Sequence, residues 1–534
     1  MTSGSRSGPR RSGTWAIADR VGRLKAKRSP RATTLRGSDS RSEADRSIRL
    51  IRETQRERNK RAQTQISMLL ALAADPDLHA LASWVHSRSE RDWSRGGRPR
   101  QHPDWCLLLF GACIGVFGSA SSTARHLAGP LLWRAVIDAA APHQTSTDAA
   151  PAFGPTRDQW SYFMRHRLTA ELLPDLSAAM RDLATQLARE TGLLDPENRS
   201  LSRPARPNVV GVDGKVFSSP LRTDLTERTN KKTGEIRPVR QDPARHLYGE
   251  AGQEGMAWGT KFAIASVRSP MSGHRVVLGV EHIPHRGGGG EAGRFVELMV
   301  ELAGRAPGIS AFVADGAFRG THIARAQNET GSAVISPARR KSKERGGIVI
   351  GKYGHAAAQL PPSRARTAWI EECGGHVLYA AGGTIYERVV TADGSLDFVE
   401  VTRHQTKRDR KTDGTWAFYA RHTLTCRSTD TEHDWWEPLT PTQTDEAHKF
   451  NRSDYLRVLP PTDPDYSRVY GMRADTESLN AQLERAFYNR RLPAWGLHNQ
   501  TVVVLMAALA QNAWARHTWQ RAIDRQQSPP QVAA

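Results

Sequence analysis

A mixed α/β architecture behind an all-helical front region is what this chain should form, and two observations carry that expectation. From Pro207 onward, β-branched apolar runs of strand length alternate with helical patterns, whereas residues 62–200 show helical spacing. Between Pro337 and Pro461 the pattern changes to short alternating segments with turns such as Asp393-Gly and Asp413-Gly, which predicts a β-rich insertion over residues 337–461.

The regions follow in order. Residues 1–61 hold 18 Lys+Arg against 6 Asp+Glu, a composition that predicts a disordered basic tail able to grip a polyanion. Helical spacing then runs over 43–84, through the apolar Trp105-Cys-Leu-Leu-Leu-Phe110 that follows Gly97-Arg-Pro99, and over 171–194, broken by an Ala/Pro/Thr-rich linker near 139–155. Gly118-Ser-Ala-Ser-Ser122 before Ala124-Arg-His-Leu127 suits the turn and second helix of a DNA-reading pair, and equally a plain bundle. In residues 207–336 the expected strands are 209–217, 261–267, 274–282, 311–314 and 332–336, with helices at 291–304 and 321–330, an order that predicts a mixed sheet with a short crossover. Helices resume in residues 462–525, at 467–489 and 501–525, separated by Leu492-Pro-Ala-Trp-Gly496; there is no internal repeat.

Charge and cysteine usage narrow the function classes. The 534 residues carry 76 Lys+Arg and 55 Asp+Glu, a net +21 that draws in nucleic acid more readily than neutral metabolites. Cys106, Cys113, Cys373 and Cys426 form no C-x-x-C pair and no zinc-finger spacing with histidine, which argues against a structural zinc site and for reduced thiols in a cytosol. The longest apolar stretches, 106–118 and 501–510, are too short to span a bilayer, and the polar start has no signal-peptide core, so a protein of the cytoplasm, without membrane attachment, is expected. Gly288-x-Gly290-x-x-Gly293 with Asp315 downstream has the layout of a dinucleotide fingerprint, but the glycines follow Ile283-Pro-His-Arg286 rather than a strand, and a flexible connection is the better reading.

Three acids stand out. Asp213 and Asp315 end short apolar runs, Val209-Val-Gly-Val-Asp213-Gly and Ile309-Ser-Ala-Phe-Val-Ala-Asp315-Gly, and Glu477 lies in Tyr470-Gly-Met-Arg473-Ala-Asp-Thr-Glu477-Ser-Leu-Asn480. Divalent-metal phosphodiester chemistry needs carboxylates gathered from distant segments as hard oxygen ligands. On one continuous helix Tyr470, Arg473, Glu477 and Glu484 form a stripe, with Asp475 facing elsewhere, so that Tyr470 and Arg473 could hold phosphate oxygens beside the carboxylate. Basic clusters at Arg339-Arg340-Lys341 with Lys343 and Arg345, and at Arg403, Lys407, Arg408, Arg410 and Lys411, are candidate phosphate contacts; Trp435-Trp436 are expected to pack in the core or across strands.

With these residues in view, the chain resembles a bacterial insertion-sequence transposase of the DDE type, over roughly Pro207 to Arg516. The resemblance is strongest at Val212-Asp213-Gly-Lys215, at Ala314-Asp315-Gly-Ala-Phe-Arg-Gly320 and at 470–477. It implies a ribonuclease-H-like core with the first Asp on the first strand, the second after the fourth, and the Glu on a later helix beyond a β-rich insertion. It further implies two Mg²⁺ or Mn²⁺ ions roughly 3.5 to 4 Å apart, Asp213 bridging and Asp315 and Glu477 each completing one site. Cleavage at terminal inverted repeats, strand transfer into target double-stranded DNA, and action as a homo-oligomer on DNA in the bacterial nucleoid are likewise implied. The family's Tyr-Arg-Glu-Lys signature has Lys where this chain has Glu484, and Arg485 next to it is a candidate substitute cation. That departure gives a second reading, a decayed or domesticated copy acting as a sequence-specific DNA-binding protein.

Overall fold

The computed structural model describes residues 39–88, 101–144, 149–221, 226–230, 232–249, 256–287, 289–338, 348–350, 354–363, 366, 373 and 375–527. Two compact units divide the chain, Met1–Thr64 and Gln65–Ala534. In the first, the described residues are helical and open α1 (Asp39–Ala73). Of the tail expected over 1–61, the described residues 39–61 are helical, as the strong helix formers Arg, Glu and Gln that dominate residues 46–65 favour. The helical spacing over 43–84 is made by two helices: α2 (Pro76–Arg88) starts afresh where Pro76 lacks an N–H and Asp75 accepts from the Asp77 N–H at 2.8 Å.

The helical region continues through α3 (Asp104–Phe117), α4 (Ala120–Leu127), α5 (Pro130–Ala140), α6 (Arg157–His166) and α7 (Leu173–Glu190). Almost every residue of α3 is apolar and buried, so it is a core helix. It ends at Gly118, whose φ of 87° is open to glycine without strain, and Ser119 then caps α4 by accepting from the Ser122 N–H.

The central sheet has six strands: β1 (Val209–Ser218), β4 (His246–Gly249), β5 (Met256–Arg268), β6 (Arg275–His282), β7 (Ala311–Val313) and β8 (Ala333–Ile335). A separate small hairpin joins β2 (Glu227–Thr229) to β3 (Ile236–Pro238). In the main sheet β5 runs antiparallel to β1 on one side and to β4 and β6 on the other, while β7 and then β8 lie parallel beyond β1. The parallel strands need crossovers, supplied by α8 (Gly290–Arg305) and α9 (Gly320–Thr330). Val210 and Val212 of β1 face a core shared with α7, α8 and α9. Phe217, on the alternate face, joins the core of the helical region.

The β-rich segment forms two antiparallel sheets. One runs β13 (Leu396–Glu400), β12 (Thr384–Val390), β11 (Leu378–Ala381), β10 (His355–Gln359), β9 (Val349–Ile350); the other is β14 (Thr402–Arg410), β15 (Trp416–Thr425), β16 (Glu432–Pro438). Strand β14, which carries the basic cluster at Arg403, Lys407, Arg408 and Arg410, is an edge strand whose apolar support comes from Phe418 and Ala420 of β15. Buried Glu437 accepts from Arg366 Nε at 2.8 Å, from Trp435 Nε1 at 2.9 Å and from Arg452, whose Nε also donates to Asp445 at 2.6 Å. Trp435 is thus a core residue, as expected.

Short helices α10 (Gln443–Ala447), α11 (Arg452–Tyr455) and α12 (Pro464–Tyr470) lead to α13 (Arg473–Ala486) and the long α14 (Leu497–Gln527). Among the described residues no single helix is long and apolar enough to cross a membrane.

Candidate active site

Strand β1 and helix α13 run side by side, and their repeats match. Every second strand residue advances about 6.6 Å and every fourth helix residue about 6 Å, so a ladder of contacts can form between them. Gly211 meets Thr476, and a Cβ built on that glycine would lie 2.0 Å from Thr476 Oγ1. Next, Asn480 Nδ2 donates to Asp213 Oδ2 at 2.9 Å. Lys215 Nζ then pairs with Glu484 at 3.1 Å, and the Phe217 and Phe487 rings close the ladder with centroids 6.1 Å apart. Glycine is required at 211 because the helix comes close enough to exclude any side chain.

The second acid arrives from the neighbouring strand. Parallel pairing sets Gly211 of β1 opposite Val313 of β7, so Asp213, in the middle of β1, and Asp315, just past the end of β7, each follow two residues later. Asp315 Oδ1 also accepts from the Ala317 N–H at 3.0 Å, which fixes the turn before α9. Glu477 is more open, half-exposed on α13, and pairs with Arg473 at 2.8 Å. Asp475 points away from this group, to Arg206 and to Arg268 at 2.7 Å.

Electrostatics ties the acids together. Burial pushes the Asp213 carboxyl up to about 6, the Arg473 guanidinium pulls it back, and the charges of Asp315 and then Glu477 push it up again. Both distant acids are therefore felt at Asp213. The arrangement is loose rather than closed: among the described residues, the four-donor group with all ligand atoms within 4.8 Å of one another lies elsewhere, at Cys373, His376, Cys426 and His433.

Whether this donor set suits divalent magnesium or manganese can be judged from unmet polar atoms. Asn480 Oδ1 is buried without a hydrogen-bond partner among the described residues, beside a carboxylate that burial disfavours as an anion. Hard oxygen donors with a surplus of negative charge fit such an ion, and a cation there would relieve the repulsion at Asp213.

The other predicted residues are distributed differently. Tyr470 ends α12 and stacks on Tyr466 at 5.5 Å, so it does not share a helix with Glu477. The continuous stripe expected over 467–489 is interrupted because Gly471 and Met472 keep helical torsions but Met472 and Ala474 bond to the third residue back, which tightens the turn. Arg473, at the first turn of α13, has its buried Nε without a hydrogen-bond partner among the described residues. Arg485 is exposed and donates to its own helix at Ala481 O, 2.9 Å. Arg473 is the cation set against the acids, while Lys215, to which the sequence pattern assigns no role, lies two residues along β1 from Asp213 and pairs with Glu484.

Arg408 lies over the Trp416 ring at 4.5 Å and donates to Gly331 O, and Arg403 donates to Arg457 O at 2.8 Å; both are spent on internal contacts. Lys407 remains partly exposed, paired with Asp409 at 3.0 Å and set over Trp436 at 4.8 Å. Arg339 and Arg340, with Lys341, Lys343 and Arg345, lie outside the described residues. At the glycine-rich turn, Glu291 in the first turn of α8 pairs with Lys261 at 2.6 Å, an acid where a dinucleotide pyrophosphate would have to sit. Asn480 is the other residue that the sequence pattern leaves without a role; its signal is the fourfold spacing of Thr476, Asn480 and Glu484 against alternate residues of β1.

No known family matches the sequence, and no curated protein matches it.

Proposed function

We propose that this protein is a metal-dependent DNA transposase of the DDE type, with a ribonuclease-H-like core. The observation that carries the reading is the electrostatic grouping of Asp315 and Glu477 around the partly buried Asp213. Strand order supports it: leaving aside the short edge strand β4, Asp213 is on the first strand of the sheet, Asp315 follows the fourth, and Glu477 is on a later helix beyond a β-rich segment. The net charge of +21 suits a double-stranded DNA partner.

Asp213, Asp315 and Glu477 would hold two Mg²⁺ or Mn²⁺ ions, which when bound supply Lewis acidity for displacement at a phosphodiester. Asn480 fixes the Asp213 carboxylate by donating to one oxygen. Arg473 holds Glu477 in place and brings a guanidinium suited to phosphate oxygens. Lys215 brings a cation from the strand instead of from the helix, and Glu484, where the family has Lys, holds and balances it. DNA ends and target would be the substrates, and a homo-oligomer assembled on DNA the working form.

Cleavage of DNA carrying the gene's flanking inverted repeats tests this, with wild type and Glu477→Gln compared in Mg²⁺. Cutting by the wild type and its loss in the variant are expected. Equal cutting by both would overturn the site, and binding to the repeats without cutting by either would favour a DNA-binding protein that has lost catalysis.

A further inference from the structure

We propose that Cys373, His376, Cys426 and His433 form a structural zinc site that joins the two sheets of the β-rich segment. One ligand atom from each of the four lies within 4.8 Å of the other three. Zinc held at about 2.3 Å from sulfur and about 2.0 Å from nitrogen sets tetrahedral ligands about 3.3 to 3.8 Å apart, so small side-chain rotations complete the shell. Cys373 Sγ and His433 Nε2 already stand 2.9 Å apart, and the His376 and His433 rings meet edge to face at 5.7 Å.

Spacing along the chain argued against zinc because it looks for one compact motif, whereas here the halves meet through strand pairing. Cys373 and His376 precede β11 of the five-stranded sheet. Cys426 directly follows β15, and His433 sits in β16 with Leu424 as its cross-strand partner. The turn between them is closed by the Cys426 N–H donating to Thr431 O at 2.8 Å and the Asp430 N–H to Cys426 O at 2.8 Å. A filled site would clip the entry of one sheet to the hairpin of the other.

The donor chemistry selects the metal. Two thiolates and two neutral imidazoles suit zinc over magnesium or calcium, and the thiolates balance the divalent charge, so a filled site is neutral and compatible with the burial of Cys426 and His433. All four positions come from protein, which marks a structural and not a catalytic ion. Glu387, on β12, bonds His376 Nδ1. That bond assigns metal binding to Nε2 and reproduces the carboxylate–histidine support that zinc-ligating histidines receive.

Metal analysis of the full chain, purified from zinc-supplemented medium without chelator, is the test. About one tightly held zinc per chain is expected in the wild type and in Cys106→Ser, and a drop of at least about tenfold in Cys426→Ser and His433→Ala. Cobalt added to the metal-free wild-type chain should give thiolate charge-transfer and tetrahedral d–d bands. Should the variants fail to fold, that spectrum decides. Absence of zinc and of cobalt bands in the reduced wild type overturns the proposal, as does zinc unchanged in folded Cys426→Ser, or a Cys373–Cys426 disulfide as the native state. The readout is zinc content, so it stands or falls apart from DNA cleavage.

Discussion

Replacing Asp213 with Asn should stabilise the metal-free protein while abolishing any metal-dependent activity. In the folded chain the Asp213 carboxyl is raised from 3.8 to about 6. A tenfold change in proton affinity corresponds to about 1.4 kcal/mol, so ionising this group costs the fold at most about 3 kcal/mol. A raised carboxyl favours the protonated fold, so its contribution is fully present below 3.8, is lost as pH rises to about 6, and stays lost above. The amide in Asp213→Asn never ionises and keeps an oxygen to accept from Asn480. The variant should therefore gain on wild type between about pH 4 and 6 and hold the gain at pH 8, as a melting-point rise of up to about 3 °C in EDTA. Added Mg²⁺ should raise the wild-type midpoint at pH 8 and leave the variant's unchanged. A melting difference that does not vary with pH would show that Asp213 is not a partly buried acid among acids.

Other consequences are as definite. Glu437→Ala should destabilise the β-rich segment by about 3 to 5 kcal/mol, since it strands two buried guanidiniums, and urea titration followed by Trp fluorescence would register it; a loss under about 1 kcal/mol would contradict the buried network. Gly211→Ala should cost about 1 to 3 kcal/mol by forcing α13 off β1, and Thr476→Ala should recover part of that loss in the double variant; no recovery would place the strain elsewhere. Lys215→Ala and Glu484→Ala should show a coupling of about 1 kcal/mol in a double-mutant cycle, and if Lys215 serves phosphate, only its replacement should slow DNA cleavage.

Much of the sheet was readable because its strands are buried on both faces and so appear as continuous β-branched runs, as in Val209–Ser218 and Arg275–His282. Strand β14 escaped notice for the opposite reason: Thr-Arg-His-Gln-Thr-Lys-Arg-Asp-Arg has no apolar side chain, and its partner supplies them all. The helix break at Gly471 and Met472 leaves no mark in a periodic pattern, since both residues keep helical torsions. Of the site, the three acids were visible as carboxylates closing apolar runs or lying in a helical motif. Asn480, Lys215 and the Cys–His group were not, because each acquires its role from a partner far away in sequence that only strand pairing or helix docking brings near.

Diffraction at the manganese absorption edge, from crystals of the full chain grown with Mn²⁺ and DNA, addresses the grouping of acids itself. Anomalous density bounded by Asp213, Asp315 and Glu477, absent in Asp213→Asn, is the predicted outcome. Density confined to other surfaces, or none at millimolar Mn²⁺, would contradict it.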